Sequence, residues 1–237
     1  MALQKIWKLK DFGGSEQLEL SQAEIPNVSE AQVIIKNEAI GLNYIDIYFR
    51  TALYPWPNQE EVKILGSEAA GTVVEIGADV KHLKVGDRVV YVTPVGAYAE
   101  YVSVHAKHVA KLPDSVSFDI AAASLLKGIT AHYLLHDTFS LKSGQTALVH
   151  AAAGGVGQLL GQWGSEIGAK MIGTAGGQQK CETASAAKYD HVIDYNTQDF
   201  VAEVMRITNK GKVDVAYDSV ARTVFPGTMD CIKPRGL

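Results

Sequence analysis

The stretch with the clearest chemical meaning is Ala151-Ala152-Ala153-Gly154-Gly155-Val156-Gly157. It follows a short apolar run, Thr146-Ala147-Leu148-Val149-His150, and opens a segment of helical pattern from Gly155 to Ile167, closed by Gly168. A glycine turn between a buried strand and a helix is the setting of a dinucleotide-binding loop. Gly154 and Gly155 let backbone N–H groups approach a pyrophosphate, and the helix start adds unpaired donors and partial positive charge. Gly157 permits close packing of helix on strand. Ala152 stands where the first glycine of the usual pattern belongs.

The segment after the next strand bears on which dinucleotide fits. A site for a free ribose 2′-hydroxyl places an Asp or Glu about 20 residues past the fingerprint. Here Thr174-Ala175-Gly176-Gly177-Gln178-Gln179-Lys180 brings no acid before Glu182 and ends in a cation. Gly176 and Gly177 leave room, and Lys180 offers a point charge to a 2′-phosphate. That favours NADPH. A solvated helix-surface lysine is an equal reading of Lys180 alone; the missing acid is the firmer half of the argument.

These loops need a scaffold. From Thr146 onward the pattern alternates strand and helix: strands at 146–150, 170–174, 192–195 and 213–218, and helices at 155–167, 178–188 and 199–208. Such alternation predicts right-handed βαβ units and a parallel sheet. Before it lie short strands at 32–40, 71–77, 85–91 and 97–102, separated by Gly and Asp, which predict a small barrel or sandwich. The texture changes near Pro113-Asp114; two helices are expected, from Phe118 to Leu126 and from Thr130 to Leu135. Cys231 to Leu237 reads as a helix end and a turn leading into a strand, leaving the fourth strand with an open edge.

The 237 residues suffice for one large or two small domains, and 47% hydrophobic residues exclude a disordered chain. With 22 Lys+Arg against 26 Asp+Glu, the formal charge of -4 gives no global attraction to nucleic acid or anionic membrane. No apolar run reaches the ~20 residues that span a bilayer, and no signal-peptide core is present. Cys181 and Cys231 are too few for a disulfide framework or a multi-Cys zinc site. A soluble protein of a reducing, cytoplasmic compartment is the expectation.

Residues along nearly the whole chain carry a resemblance. They are Gly41-Leu42-Asn43-Tyr44-Ile45-Asp46-Ile47-Tyr48-Phe49-Arg50, Gly66-Ser67-Glu68-Ala69-Ala70-Gly71, Val85-Gly86-Asp87-Arg88-Val89, Leu126-Lys127-Gly128-Ile129-Thr130-Ala131, His150 to Gly157, and Asp218-Ser219-Val220. The chain resembles the zinc-independent quinone oxidoreductases of the medium-chain dehydrogenase/reductase superfamily, the zeta-crystallin type. The resemblance implies an α/β plus β fold. A GroES-like β-rich catalytic domain, residues 1–125, is followed by a partial Rossmann parallel sheet, residues 126–237, whose four strands take the order 3-2-1-4. It also implies an intact protein that continues past Leu237 and forms a homodimer.

It implies an enzyme in which NADPH reduces a quinone or an activated double bond. No metal is expected, since the ligand positions of the zinc-dependent relatives hold Asn43 and Ser67. His105 and His108 read as ordinary surface or interdomain histidines. By the same carry-over Asn43, Asp46 and Tyr48 line the nicotinamide and substrate cleft, with Tyr44 a further cofactor contact. Asn43 can hold the carboxamide, and Tyr48 and Tyr54 can stack on a flat ring and donate a phenolic O–H. Tyr54, beside Pro55, reads better as a packing residue, and Asp46 reads equally as a helix-stabilising acid on the solvent side. Thr130 and Tyr133 face the nicotinamide; Gly154, Gly155 and Val156 meet the pyrophosphate; Gly176 and Lys180 hold the 2′-phosphate; Tyr195 packs near the adenosine. Ser219 sits at the ligand-binding edge of the sheet or caps the next helix.

Two alternatives stay open. One is an enoyl or 2-alkenal reductase on the same scaffold, with Tyr48 as the candidate proton donor. The other is a non-enzymatic structural or NADPH-gated RNA-binding protein. The acidic balance and the lack of a basic aromatic stripe argue against RNA as the main partner.

Overall fold

The computed structural model describes residues 2–57 and 62–237. The chain divides into two units, residues 1–126 and 127–237. The first runs β1 (Leu3–Leu9), β2 (Leu18–Glu24), β3 (Gln32–Gly41), α1 (Tyr44–Arg50), β4 (Lys63–Ile64), β5 (Glu68–Ile76), β6 (Arg88–Val92), β7 (Tyr101–His105) and β8 (Val109–Lys111). Five of these strands pair antiparallel in the order β7-β3-β5-β6-β8, and β1 lies between β2 and β4 in a separate three-stranded sheet. Alternation along the strands makes the core. Val33 and Ile35 of β3, Val73 of β5, Val89 and Tyr91 of β6, and Val102 and Val104 of β7 share one buried cluster.

Three sequence expectations shift here. The β1–β2 hairpin was not foreseen, because β1 buries Gln4 beside Ile6 and exposes Trp7, which masks the alternation. The strand expected from Ala97 starts only at Tyr101. Ala97 to Ala99 is a loop tied by backbone bonds, with Trp7 N donating to Tyr98 O and Tyr98 N to Leu65 O. The two expected helices are one, α2 (Phe118–Tyr133), followed by a π turn over Leu134–Thr138. An interior glycine costs a helix only about 1 kcal/mol, too little for Gly128 to break one that buries Ala121, Ala122 and Ala131.

The second unit continues with β9 (Thr146–Val149), α3 (Gly155–Ile167), β10 (Lys170–Ala175), α4 (Gln178–Ala186), β11 (His191–Asp194), α5 (Phe200–Ile207), β12 (Val215–Tyr217) and α6 (Phe225–Cys231). Its sheet is parallel in the order β11-β10-β9-β12, the expected 3-2-1-4 arrangement. Neighbouring residues of one strand enter opposite cores: Val149 and Met171 join one cluster, Leu148 and Ile172 the other. That two-sided burial is why these strands read as continuous apolar runs. The outer edge of β12 is not wholly open. Leu237 N donates to Asp214 O, and Leu237 O accepts from Ala216 N at 2.8 Å. Among the described residues no helix is long and apolar enough to cross a membrane.

Candidate functional site

In the second unit the expected residues other than Thr130 and Tyr133 of α2 lie in or near the loops that follow the C-terminal ends of the strands. After β9 the chain turns at Ala151, a non-glycine residue held at φ 53°, and Gly154 N donates to Ala151 O. Gly154 then caps the start of α3 and has no side chain to accept from the N–H groups of the first turn. α5 differs: Asp199 Oδ1 accepts from Val201 N at 2.9 Å and Ala202 N at 3.4 Å. Gly157 is forced by its surroundings. A Cβ there would lie 2.4 Å from Ala151 O and 2.8 Å from Ala152 O. Tyr189, buried, donates its hydroxyl to Gly157 O at 2.6 Å. An uncapped, glycine-lined helix start of this kind fits a pyrophosphate.

A second group forms between β10 and β11. The Tyr195 hydroxyl lies over Gly176, where a Cβ would fall 2.5 Å from the oxygen. Lys180 is exposed in the first turn of α4. A feature that sequence reading missed joins them: Asp194 Oδ1 accepts from Gly177 N at 2.9 Å and from Asn196 N at 3.0 Å. Pairing of Ala175 with Asp194 across β10 and β11 brings this acid to the α4 start, and no linear spacing shows that. Lys127 was also passed over, though its motif was read. Its aliphatic stem fills the space beside Gly155, where a Cβ would meet Lys127 Cδ at 2.7 Å.

Ser219 is exposed after β12, but it caps no helix. α6 begins only at Phe225, and the local acceptor is Asp218 Oδ1, which takes Val220 N and Ala221 N at 2.8 Å each. On α2, Thr130 is half-buried and Tyr133 exposed. His150 faces the interior. His150 Nδ1 lies 2.9 Å from Thr174 Oγ1 and Nε2 lies 2.9 Å from Thr228 Oγ1, which is itself 2.9 Å from Val224 O. Burial holds the His150 pKa below its usual value.

In the first unit α1 and the loop after it collect the other expected residues. Tyr48 lies between Tyr44 and Tyr54, with ring centres 6.4 and 5.2 Å away. Tyr44 is exposed, Tyr48 half-buried and Tyr54 45% exposed, while Tyr54 also packs edge-on against buried Phe49. Packing and exposure therefore coexist at Tyr54.

Asp46 corrects the solvent-side reading, since it is 5% exposed. Its Oδ2 accepts from Asn43 N at 2.9 Å and from the Tyr98 hydroxyl at 3.0 Å. The Ser67 hydroxyl lies 3.3 Å from Asp46 Oδ1 and 3.0 Å from Pro94 O, and its one proton serves one of them at a time. Asn43 Nδ2 donates to Glu68 Oε1 at 2.9 Å, and Leu126 N donates to Glu68 Oε2 at 2.7 Å. Burial raises the Asp46 pKa against the pull of these donors, and burial, then the Asp46 charge, raises that of Tyr98. The phenol is thus held as a donor. No group of three or more His, Cys, Asp or Glu is placed to hold a metal among the described residues.

A GroES-like β unit followed by a parallel sheet with an uncapped glycine turn defines a medium-chain dehydrogenase/reductase. The alcohol dehydrogenase GroES-like domain model matches residues 29–114, and the zinc-binding dehydrogenase model matches residues 155–237. Quinone oxidoreductase 1 of Escherichia coli is 44% identical over 226 residues, which cover 95% of this chain and 68% of that protein. A 2-haloacrylate reductase of a Burkholderia species is 38% identical, over 95% of this chain and 69% of its own length. The crystal structure of Escherichia coli quinone oxidoreductase complexed with NADPH superposes with a TM-score of 0.93 at 42% identity, over 99% of this chain and 71% of that one. The chain belongs to the zinc-independent quinone oxidoreductases of this superfamily.

Proposed function

We propose that the protein is an enzyme that reduces quinones with NADPH and without a metal. The observation that carries this reading is Asn43 and Ser67 in the zinc-ligand positions of a GroES-like unit, engaged with Glu68, Asp46 and Pro94. Without a metal no Lewis acid polarises a carbonyl, so the acceptor must be electrophilic already, as a quinone is. Bound NADPH supplies the reducing equivalents. The chain's own residues bind and orient. Gly154, Gly155 and Val156 take the pyrophosphate on the first turn of α3; Gly176, Lys180 and Tyr195 take the 2′-phosphate and adenosine; Thr130, Tyr133 and Ser219 complete the dinucleotide contacts. Asn43 addresses the carboxamide, Tyr44 adds a cofactor contact, and Tyr48 and Tyr54 offer rings and phenolic protons to a flat acceptor. Asp46 serves as a positioning residue for Asn43. We further propose a homodimer in a reducing, cytoplasmic compartment; the two unpaired cysteines accord with such a compartment.

Steady-state turnover of quinones and enals with both nicotinamides, after exhaustive chelation, tests the reading. Quinone reduction with NADPH is expected to survive chelation; loss of activity together with one equivalent of zinc would overturn it. The similarity to a 2-haloacrylate reductase supports a second reading, reduction of activated alkenes with Tyr48 as proton donor. Faster turnover of enals than of any quinone would favour it.

The lysine can be tested by itself. Lys180→Ala is expected to raise the KM for NADPH and leave that for NADH nearly unchanged, because a lost charge-assisted contact is worth at most about 1.5–3 kcal/mol. Equal changes for both cofactors would remove Lys180 from the 2′-phosphate contacts.

A further inference from the structure

We propose that Asp194 is a specificity-determining residue that narrows the preference for NADPH over NADH. The inference rests on the dinucleotide reading above and concerns a residue to which neither that reading nor the sequence assigned a role. Asp194 ends β11, directly before Tyr195, and is held against the start of α4 by Gly177 N. Gly177 lies between Gly176, which the Tyr195 hydroxyl covers, and the first turn that carries Lys180. The carboxylate is therefore set among the three residues proposed to hold the 2′-phosphate.

Two consequences follow from its chemistry. First, Gly177 N–H is a donor at a helix start, of the kind a phosphate oxygen uses. Asp194 Oδ1 already takes it at 2.9 Å, along with Asn196 N at 3.0 Å. Second, the group brings a negative charge where a 2′-phosphate would bring another. No ion pair between Lys180 and Asp194 is present among the described residues, so the lysine does not cancel that charge within the fold. The charge reaches α4: partial burial first, and then Asp194, hold the Cys181 thiol above its usual pKa. A ribose 2′-hydroxyl, in contrast, can donate to a carboxylate. Lys180 thus pulls the pocket toward the phosphate and Asp194 pulls it back.

Asp194→Asn isolates the charge, because an asparagine side-chain oxygen still accepts from Gly177 N and Asn196 N and the loop is retained. The readout is calorimetric binding of NADPH, NADH, 2′,5′-ADP and 5′-AMP to the wild type and the variant, without turnover. NADPH and 2′,5′-ADP are expected to bind about tenfold tighter to the variant, the size of a like-charge repulsion at the edge of a protein. NADH and 5′-AMP are expected to bind unchanged or a few-fold more weakly. An unchanged ratio of NADPH to NADH affinity, or equal tightening of all four ligands, would overturn the proposal while leaving the dinucleotide reading intact. Failure of every one of these ligands to bind the wild type would overturn both.

Discussion

Gly157→Ala is expected to weaken NADPH binding by more than a hundredfold and to lower the stability of the second unit. The added methyl would lie 2.4 Å from Ala151 O and 2.8 Å from Ala152 O, both backbone atoms that no rotamer change can move. Either α3 lifts from the sheet or the turn from Ala151 to Gly154 is displaced. The first choice strains the Tyr189 hydroxyl bond to Gly157 O, and the second moves the N–H groups proposed to hold the pyrophosphate. Loss of two charge-assisted N–H bonds to the pyrophosphate, at about 1.5–3 kcal/mol each, is enough to cost two orders of magnitude. Steric conflict in a packed interior adds about 1–3 kcal/mol of destabilisation. Calorimetric titration with NADPH and a urea melt report the two effects separately. A variant that binds NADPH within twofold of the wild type would show that the turn has no part in holding the cofactor.

The second large effect is expected from Asp46→Ala. It removes the acceptor from Asn43 N and from the Tyr98 hydroxyl, both part-buried, and one of two from the buried Ser67 hydroxyl. Each buried donor left without an acceptor costs about 1–3 kcal/mol, so a loss on the order of 3–5 kcal/mol is expected. Asn43 begins α1, and its displacement should lower kcat/KM for quinone on the order of a hundredfold. Asp46→Asn provides the readout that simple unfolding does not. Burial, the largest influence, raises the Asp46 pKa above 3.8, so the folded state holds this proton more tightly than the unfolded chain. Its contribution to stability is complete below pH 3.8 and lost as pH rises through the raised value. Relative to Asp46→Asn, the wild type should therefore lose stability across that window. Parallel pH profiles for the two proteins, or an Asp46→Ala enzyme with full activity, would refute the assignment.

What could be read from the chain was what is decided locally. The turn from Ala151 to Gly157 announces itself because the sterics of Gly154 and Gly157 are settled within six residues, by Ala151 O and Ala152 O. The parallel sheet follows because strands such as Thr146–Val149 and Lys170–Ala175 are buried on both faces and need crossover helices, while its 3-2-1-4 order came with the Rossmann resemblance. Partners distant in sequence were not legible. Asp46 has the spacing of an ordinary helix acid, and only Ser67 and Tyr98, 21 and 52 residues away, turn it inward. Asp194 acquires meaning only when β11 pairs with β10. The stretch from Phe118 to Leu135 read as two helices because the intrinsic cost of Gly128 is visible in the sequence and the packing that outweighs it is not.

Tyr189 has a wider consequence. Its hydroxyl pins Gly157 O, and its ring occupies the space a Cβ on Gly161 or Gly173 would need, so the position of α3 is set from beneath, by β10 and the residues just before β11. The residues proposed to bear on the 2′ position, Gly176, Lys180, Asp194 and Tyr195, make none of these Tyr189 contacts. On the proposed roles, holding a dinucleotide and choosing between its two forms fall to separable parts of one sheet. Substitutions at the second set are then expected to change the preferred nicotinamide while leaving the seat of α3 in place.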